Sequence, residues 1–162
     1  MISDSQLVNL DAFARTYLVC GLNRDQITKV AGLAKVERRC AQEILINKDG
    51  QGGELFVILE GRVNVLTSDG DKLAEVGPGS VLGEIELIDA GPKTANAICV
   101  GLVDLARIPV PALRALMKSD LELGFTILAN LSRVLCGRLR KADNMLESLM
   151  DENNGGAWNN AL

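Results

Sequence analysis

Residues 54–79 read ELFVILEGRVNVLTSDGDKLAEVGPG. The first run, residues 54–59, is apolar at every position after Glu54 and therefore on both faces of an extended chain, the pattern of a strand buried on two sides. Glu60-Gly61 turns the chain into residues 62–66, where polar and apolar residues alternate. Asp69-Gly70 is a hairpin signal, because a two-residue turn of the favoured hand needs positive φ. It leads into a third strand at residues 72–76, which Gly77-Pro78-Gly79 stops. Two more short strands follow at residues 96–100 and 103–108. Short strands with turns every eight to twelve residues predict an antiparallel sandwich or jelly roll. Ten of the 16 glycines lie from Gly50 to Gly101, where this pattern is confined.

Outside that stretch the apolar period is helical. Leu7, Leu10, Phe13, Ala14, Tyr17 and Leu18 recur at three- and four-residue spacing and predict one helix over residues 6–19. Asn23 with Gln26 three residues later is a capping-box start for a second helix through Ile27, Val30 and Ala31. After Pro109-Val110-Pro111, residues 112–117 predict a short helix. Ser119 with Glu122 then opens a long one running to about Met150, interrupted only by Gly124 and Gly137. Leu128, Leu135, Ala142 and Leu149 interleave with Ser132, Leu139 and Leu146 at the spacing of a coiled-coil seam, so a homodimer through this helix is expected. The expected class is α+β: one domain over residues 1–150, with helices in 5–34, a jelly-roll barrel over 36–109 and C-terminal helices over 111–150. Residues 151–162 are polar, contain glycine, and are expected to form a flexible tail.

Composition narrows the chemistry. The 162 residues suit one ordinary domain. The absence of histidine removes histidine-assisted nucleophiles, histidine-ligated metals and a histidine pH switch. Four scattered cysteines (Cys20, Cys40, Cys99, Cys136) form no C-x-x-C pair and are expected to be buried apolar thiols, with no metal site. A net charge of −4 and five aromatic residues provide poorly for non-specific nucleic-acid binding. No acid–base pair or nucleophile–base spacing points to catalysis, so no enzyme and no catalytic residue are expected. No basic segment followed by an apolar one opens the chain, and no apolar run approaches the ~20 residues of a membrane span. A cytoplasmic protein is the expectation.

Chemistry is concentrated in residues 79–96, GSVLGEIELIDAGPKTAN. A glycine opens a short apolar helical turn, and Gly91-Pro92-Lys93-Thr94 follows. Backbone N–H groups at a helix start, glycine that permits close approach, and a nearby cation together make an anion cradle. Glu84, beside those donors, can accept hydrogen bonds from hydroxyl groups. Taken alone, the same residues also fit a plain glycine-rich loop.

Three groups of residues carry a family resemblance covering about four-fifths of the chain. Gly50 followed by residues 55–65, LFVILEGRVNV, resembles the "hydrophobic run, x-G-x-V-x-V" hairpin of the cyclic nucleotide-binding domain family. Gly77-Pro78-Gly79-Ser80-Val81-Leu82-Gly83-Glu84 is similar to the "G-x-x-F-G-E" opening of that family's phosphate-binding cassette. Gly91-Pro92-Lys93-Thr94-Ala95 stands where the family usually has Pro-Arg-(Ala/Ser/Thr)-Ala.

The resemblance implies a jelly roll that binds a cyclic nucleotide, cAMP or cGMP, with no other cofactor. It implies Gly83 and Ile85 at the phosphate, Glu84 at the ribose hydroxyl, and Lys93 with Thr94 opposite the phosphate, with Leu82, Glu86 and Ala95 also among the ligand-binding residues. It places Arg138 and Leu139, with Arg140, at the base. Two residues depart from the pattern. Lys93 replaces an arginine and offers a point charge instead of a bidentate fork. Glu86 replaces a small residue and adds negative charge. About a dozen residues follow the long helix, so a stand-alone domain without a DNA-binding helix-turn-helix is expected. The implied function is a sensor that signals through its C-terminal helix to an unknown downstream protein. The alternative is a dimerisation or protein-interaction module of the same fold that has lost its nucleotide.

Overall fold

A computed structural model of the chain describes residues 9–89, 91 and 93–155. The chain divides into two units, Met1–Asn130 and Leu131–Leu162, with the boundary inside the last helix. The first opens with α1 (Leu10–Ala14), a 3-10 turn (Tyr17–Val19) and α2 (Arg24–Ala31). Eight strands follow: β1 (Lys35–Arg39), β2 (Ile44–Ile46), β3 (Glu54–Glu60), β4 (Val63–Leu66), β5 (Lys72–Val76), β6 (Val81–Leu82), β7 (Asn96–Cys99) and β8 (Val103–Pro109). Helix α3 (Glu84–Ile88) lies between β6 and β7, and α4 (Val110–Ser119) and α5 (Leu121–Gly155) follow β8.

The strands form two four-stranded antiparallel sheets, ordered β1-β8-β3-β6 and β2-β7-β4-β5. That order is a jelly roll, built as two facing sheets and not as one closed barrel. The core between the sheets takes Phe56, Ile58, Leu82, Val103 and Leu105 from one sheet and Val63, Ala97 and Cys99 from the other. Side chains alternate along a strand, so Leu55 and Val57 face away from that core, yet both are fully buried. Burial on both faces is what the unbroken apolar run after Glu54, residues 55–59, predicts. The helices supply Phe13, Leu18, Leu113, Leu123 and Ile127, all fully buried.

Several boundaries differ from the sequence expectation. The helix expected over residues 6–19 is short: α1 ends at Ala14, and residues 6–8 lie outside the described residues. The Tyr17 N–H donates to the Gly79 carbonyl at 3.0 Å, and the buried Thr16 hydroxyl donates to the Phe13 carbonyl at 2.7 Å. Those bonds turn the backbone toward the sheets, where a continued helix would have spent the same N–H on itself. The Asn23–Gln26 capping box is present in both directions. Ser119 does not cap α5; its hydroxyl donates to Leu116 O at 2.8 Å, while the Asp120 carboxylate accepts the Leu123 N–H at 3.1 Å. Gly124 has no Cβ because one would stand 2.6 Å from the Met117 carbonyl.

Strands β1, β2 and β6 carried no sequence signal. β1 is KVERR, and its charges are matched across the sheet: Arg38 donates to Asp104 at 2.6 and 2.7 Å, and Arg107 pairs with Glu37 at 2.9 Å. The Arg38 hydrogen bond holds the Asp104 carboxyl below the usual carboxylate range. Cys20, Cys40 and Cys136 are exposed, against the expectation of buried thiols. Only Cys99 is buried, and burial pushes its thiol up.

Asn130 ends the first unit. Its buried side-chain amide donates to the Leu18 carbonyl at 3.1 Å and the Cys20 carbonyl at 2.8 Å, fastening α5 to the 3-10 turn. In the second unit α5 continues to Gly155, so residues 151–155 of the expected tail are helical. Residues 156–162 of that tail lie outside the described residues. No helix of the described residues is long and apolar enough to cross a membrane.

Leu105 is fully buried on β8, in the core between the sheets. Leu105→Ala is expected to lower unfolding stability by about 2–5 kcal/mol, the cost of a buried cavity of that size, as read by urea denaturation.

Candidate functional site

The site forms where β6 meets α3. Phe56 pairs with Leu82, so the next residue, Gly83, arrives beside the start of β3. Gly83 has φ +85°, a left-handed conformation, and caps the N-terminus of α3. A Cβ there would stand 2.6 Å from the Glu54 carbonyl and 3.6 Å from Leu55 Cα. Backbone conformation and space both require glycine. The sharp turn delivers Glu84, Ile85 and Glu86 into the first turn of a helix, where N–H groups have no carbonyl partner within the helix.

Each candidate from the sequence takes a distinct place. Leu82 is in the core at 4% exposure. Glu84 is buried at 2% exposure, so it is not a solvated surface carboxylate. Ile85 and Glu86 are half-buried. The Glu86 carboxylate accepts the Gly53 N–H and lies against Gly52, where a Cβ would overlap it. Lys93 is half-buried, and its ammonium donates to the Gln51 carbonyl at 2.7 Å. Thr94 is exposed and Ala95 half-buried. Pro92, which the motif includes, lies outside the described residues.

Glu86 and Lys93 are therefore brought together on one short segment, residues 51–53, between β2 and β3. Arg138, Leu139 and Arg140 belong to the second unit, on α5, with their side chains exposed.

Residues the sequence reading missed support the turn from the other side. Arg114 of α4 donates to the Glu86 carbonyl at 2.5 Å and to the Leu87 carbonyl at 3.1 and 3.2 Å, satisfying the C-terminal carbonyls of α3. Arg107 of β8 bridges Glu37 at 2.9 Å and Glu54 at 3.3 Å, next to the strand that faces Gly83. Nothing local in the sequence marks Arg114. The Gly52-Gly53 pair was a visible sign that the chain passes close to something. Among the described residues, no cluster of three or more cysteine, aspartate or glutamate side chains could hold a metal ion.

The sequence model of the cyclic nucleotide-binding domain family matches residues 36–120. The CRP-like cAMP-activated global transcriptional regulator of Mycobacterium tuberculosis is 31% identical over 103 residues, covering 61% of this chain and 44% of that protein. The chain spans less than half the length of the curated relatives it matches. Among solved structures, a cyclic nucleotide-binding domain from Methylobacillus flagellatus KT superposes with a TM-score of 0.74 at 25% identity, covering 86% of this chain and 81% of that one. The catabolite activator protein of Thermus thermophilus superposes with a TM-score of 0.70 at 27% identity, covering 83% and 63% respectively.

Gly83→Ala is expected to cost about 1–3 kcal/mol of stability, because a side chain must be held in the left-handed region. Gly101, with open space around its Cβ position, supplies the control. Thermal melts of the two alanine variants should differ accordingly.

Proposed function

The chain belongs to the cyclic nucleotide-binding domain family, and on that premise we propose that it is a regulatory module binding cAMP or cGMP at residues 82–86 and 93–95. The observation that carries this reading is the Gly83 turn. It presents the start of α3 beside a buried carboxylate, Glu84, with an ammonium, Lys93, on the neighbouring segment. In the bound state the α3 N–H groups and Lys93 hold the cyclic phosphate, with Thr94 and Ala95 alongside. Glu84 accepts the ribose hydroxyl. The ligand leaves unchanged, so no catalytic group is required. Its differential affinity for two conformations of the chain supplies the signal, read as a change in α5 by a downstream protein.

Homodimerisation through α5 belongs to the same proposal. The 3–4 spacing seen from Leu128 to Leu149 extends back to Leu121 and Phe125, which are 77% and 76% exposed. Leu139, Leu146 and Leu149 are exposed as well. A stripe at heptad spacing is self-complementary, so a second copy of the chain is the occupant that fits it. A second reading, an interaction module without nucleotide, is favoured by the internal bonds of Lys93 and Glu86, which already engage the groups a ligand would use.

Titration calorimetry and melting-temperature shifts with cAMP, cGMP and cyclic dinucleotides separate the two. Saturable binding of a cyclic mononucleotide is expected. Lys93→Ala should weaken it about tenfold or more, the loss of one charge-assisted hydrogen bond. No heat and no thermal shift with any nucleotide would leave the second reading standing. By analytical ultracentrifugation the full chain is expected to be a dimer, and the paired change Leu146→Glu with Leu149→Glu a monomer. A monomeric wild type removes the dimer from the proposal.

A further inference from the structure

Two charged side chains of the cassette, Glu86 and Lys93, bind the same three residues of backbone. The Glu86 carboxylate accepts the N–H of Gly53, and the Lys93 ammonium donates to the carbonyl of Gln51. The contacts span 33 and 42 residues of sequence and have opposite sign, so together they strap the segment 51–53 to the cassette. The segment is built to accept the carboxylate. Gly52 has no side chain, and any Cβ there would overlap the Glu86 carboxyl atoms. The backbone of Glu86 is itself immobilised by Arg114, which holds the Glu86 and Leu87 carbonyls. The carboxylate is thus held against Gly52 and Gly53 by construction.

We propose that Glu86 is a built-in competitor for the ligand phosphate, and that segment 51–53 is the strap it closes. This inference rests on the reading of residues 82–86 and 93–95 as a nucleotide site. A bound phosphate and the Glu86 carboxylate carry like charge beside the same short turn, so each disfavours the other. Ligand binding then requires Glu86 to leave Gly53, while the Lys93 ammonium, which has three donors, turns its charge toward the phosphate. The affinity of the chain is set by the strength of the strap as well as by the ligand's own contacts, and it is lower than the donor set alone would give. Glu86 acts on affinity by displacement.

Two substitutions weaken the strap by different routes. Glu86→Gln removes the charge while keeping the volume. Gly52→Ala leaves Glu86 in the sequence and drives its carboxylate off the strap; Gly52 does not have positive φ, so no backbone strain is added. Calorimetry of the full chain with cAMP and cGMP, with melting temperatures recorded to show that each variant is folded, is the test. Both variants are expected to bind about tenfold more tightly than wild type, and a variant that binds when wild type does not supports the proposal equally. Hydrogen exchange of the Gly53 amide without nucleotide should be slow in wild type and faster in Gly52→Ala. Variants that bind no more tightly than a binding wild type overturn the competitor while the nucleotide site stands. If the exchange result is as expected but neither wild type nor either variant binds, the nucleotide reading falls, and the competitor with it. A Gly53 amide that exchanges equally fast in wild type and Gly52→Ala overturns the strap.

Discussion

The structure depends on β3 being buried on both faces. Phe56 and Ile58 close the core between the sheets, and Leu55 and Val57 fill the opposite side at zero exposure. A strand in that position has no solvated edge or face, so its backbone groups must find partners on both sides. β8 supplies one side over residues 54–60, and the short β6 supplies the other at Phe56 and Val57. Once β6 is drawn against β3, Gly83 arrives over the Glu54 carbonyl with no room for a side chain. Core burial and site geometry are thus one constraint, and the position of α3 follows from it.

Lys93, Glu86 and the backbone of residues 51–53 satisfy one another, and Arg114 caps the far end of α3. An arginine in place of Lys93 would offer a planar fork for bidentate pairing, whereas a lysine ammonium places three rotatable donors on one point charge and pairs less directionally. The small-residue position taken by Glu86 adds a carboxylate that needs a donor, and Gly53 provides it. The two departures from the family pattern are therefore coupled through one loop instead of acting as separate defects.

The core of the fold was legible because its signals are local. Turn residues such as Asp69-Gly70 and Gly77-Pro78-Gly79 act through their own φ angles, and the apolar run at residues 55–59 declares two buried faces whatever packs on them. The capping box at Asn23 is equally local, and it is present as read. β1 was not legible because one of its five residues, Val36, is apolar and its ladder and ion-pair partners lie on β8, more than sixty residues away, which no apolar alternation announces. The α5 start was misplaced by one residue for a related reason: serine and aspartate are both good caps, and the choice between Ser119 and Asp120 rests on where α4 ends.

By itself the sequence determined the antiparallel strand region, the glycine turn at residue 83 with its two carboxylates, and the heptad spacing of the last helix. Each is a property of neighbouring residues, set by dihedral freedom or by period. Only the tertiary structure decided that the first helix breaks at Ala14, that Glu84 is buried, and that Glu86 and Lys93 meet on residues 51–53. Those outcomes depend on which distant backbone groups are left needing a partner after the sheets have paired, and the chain order does not contain that information.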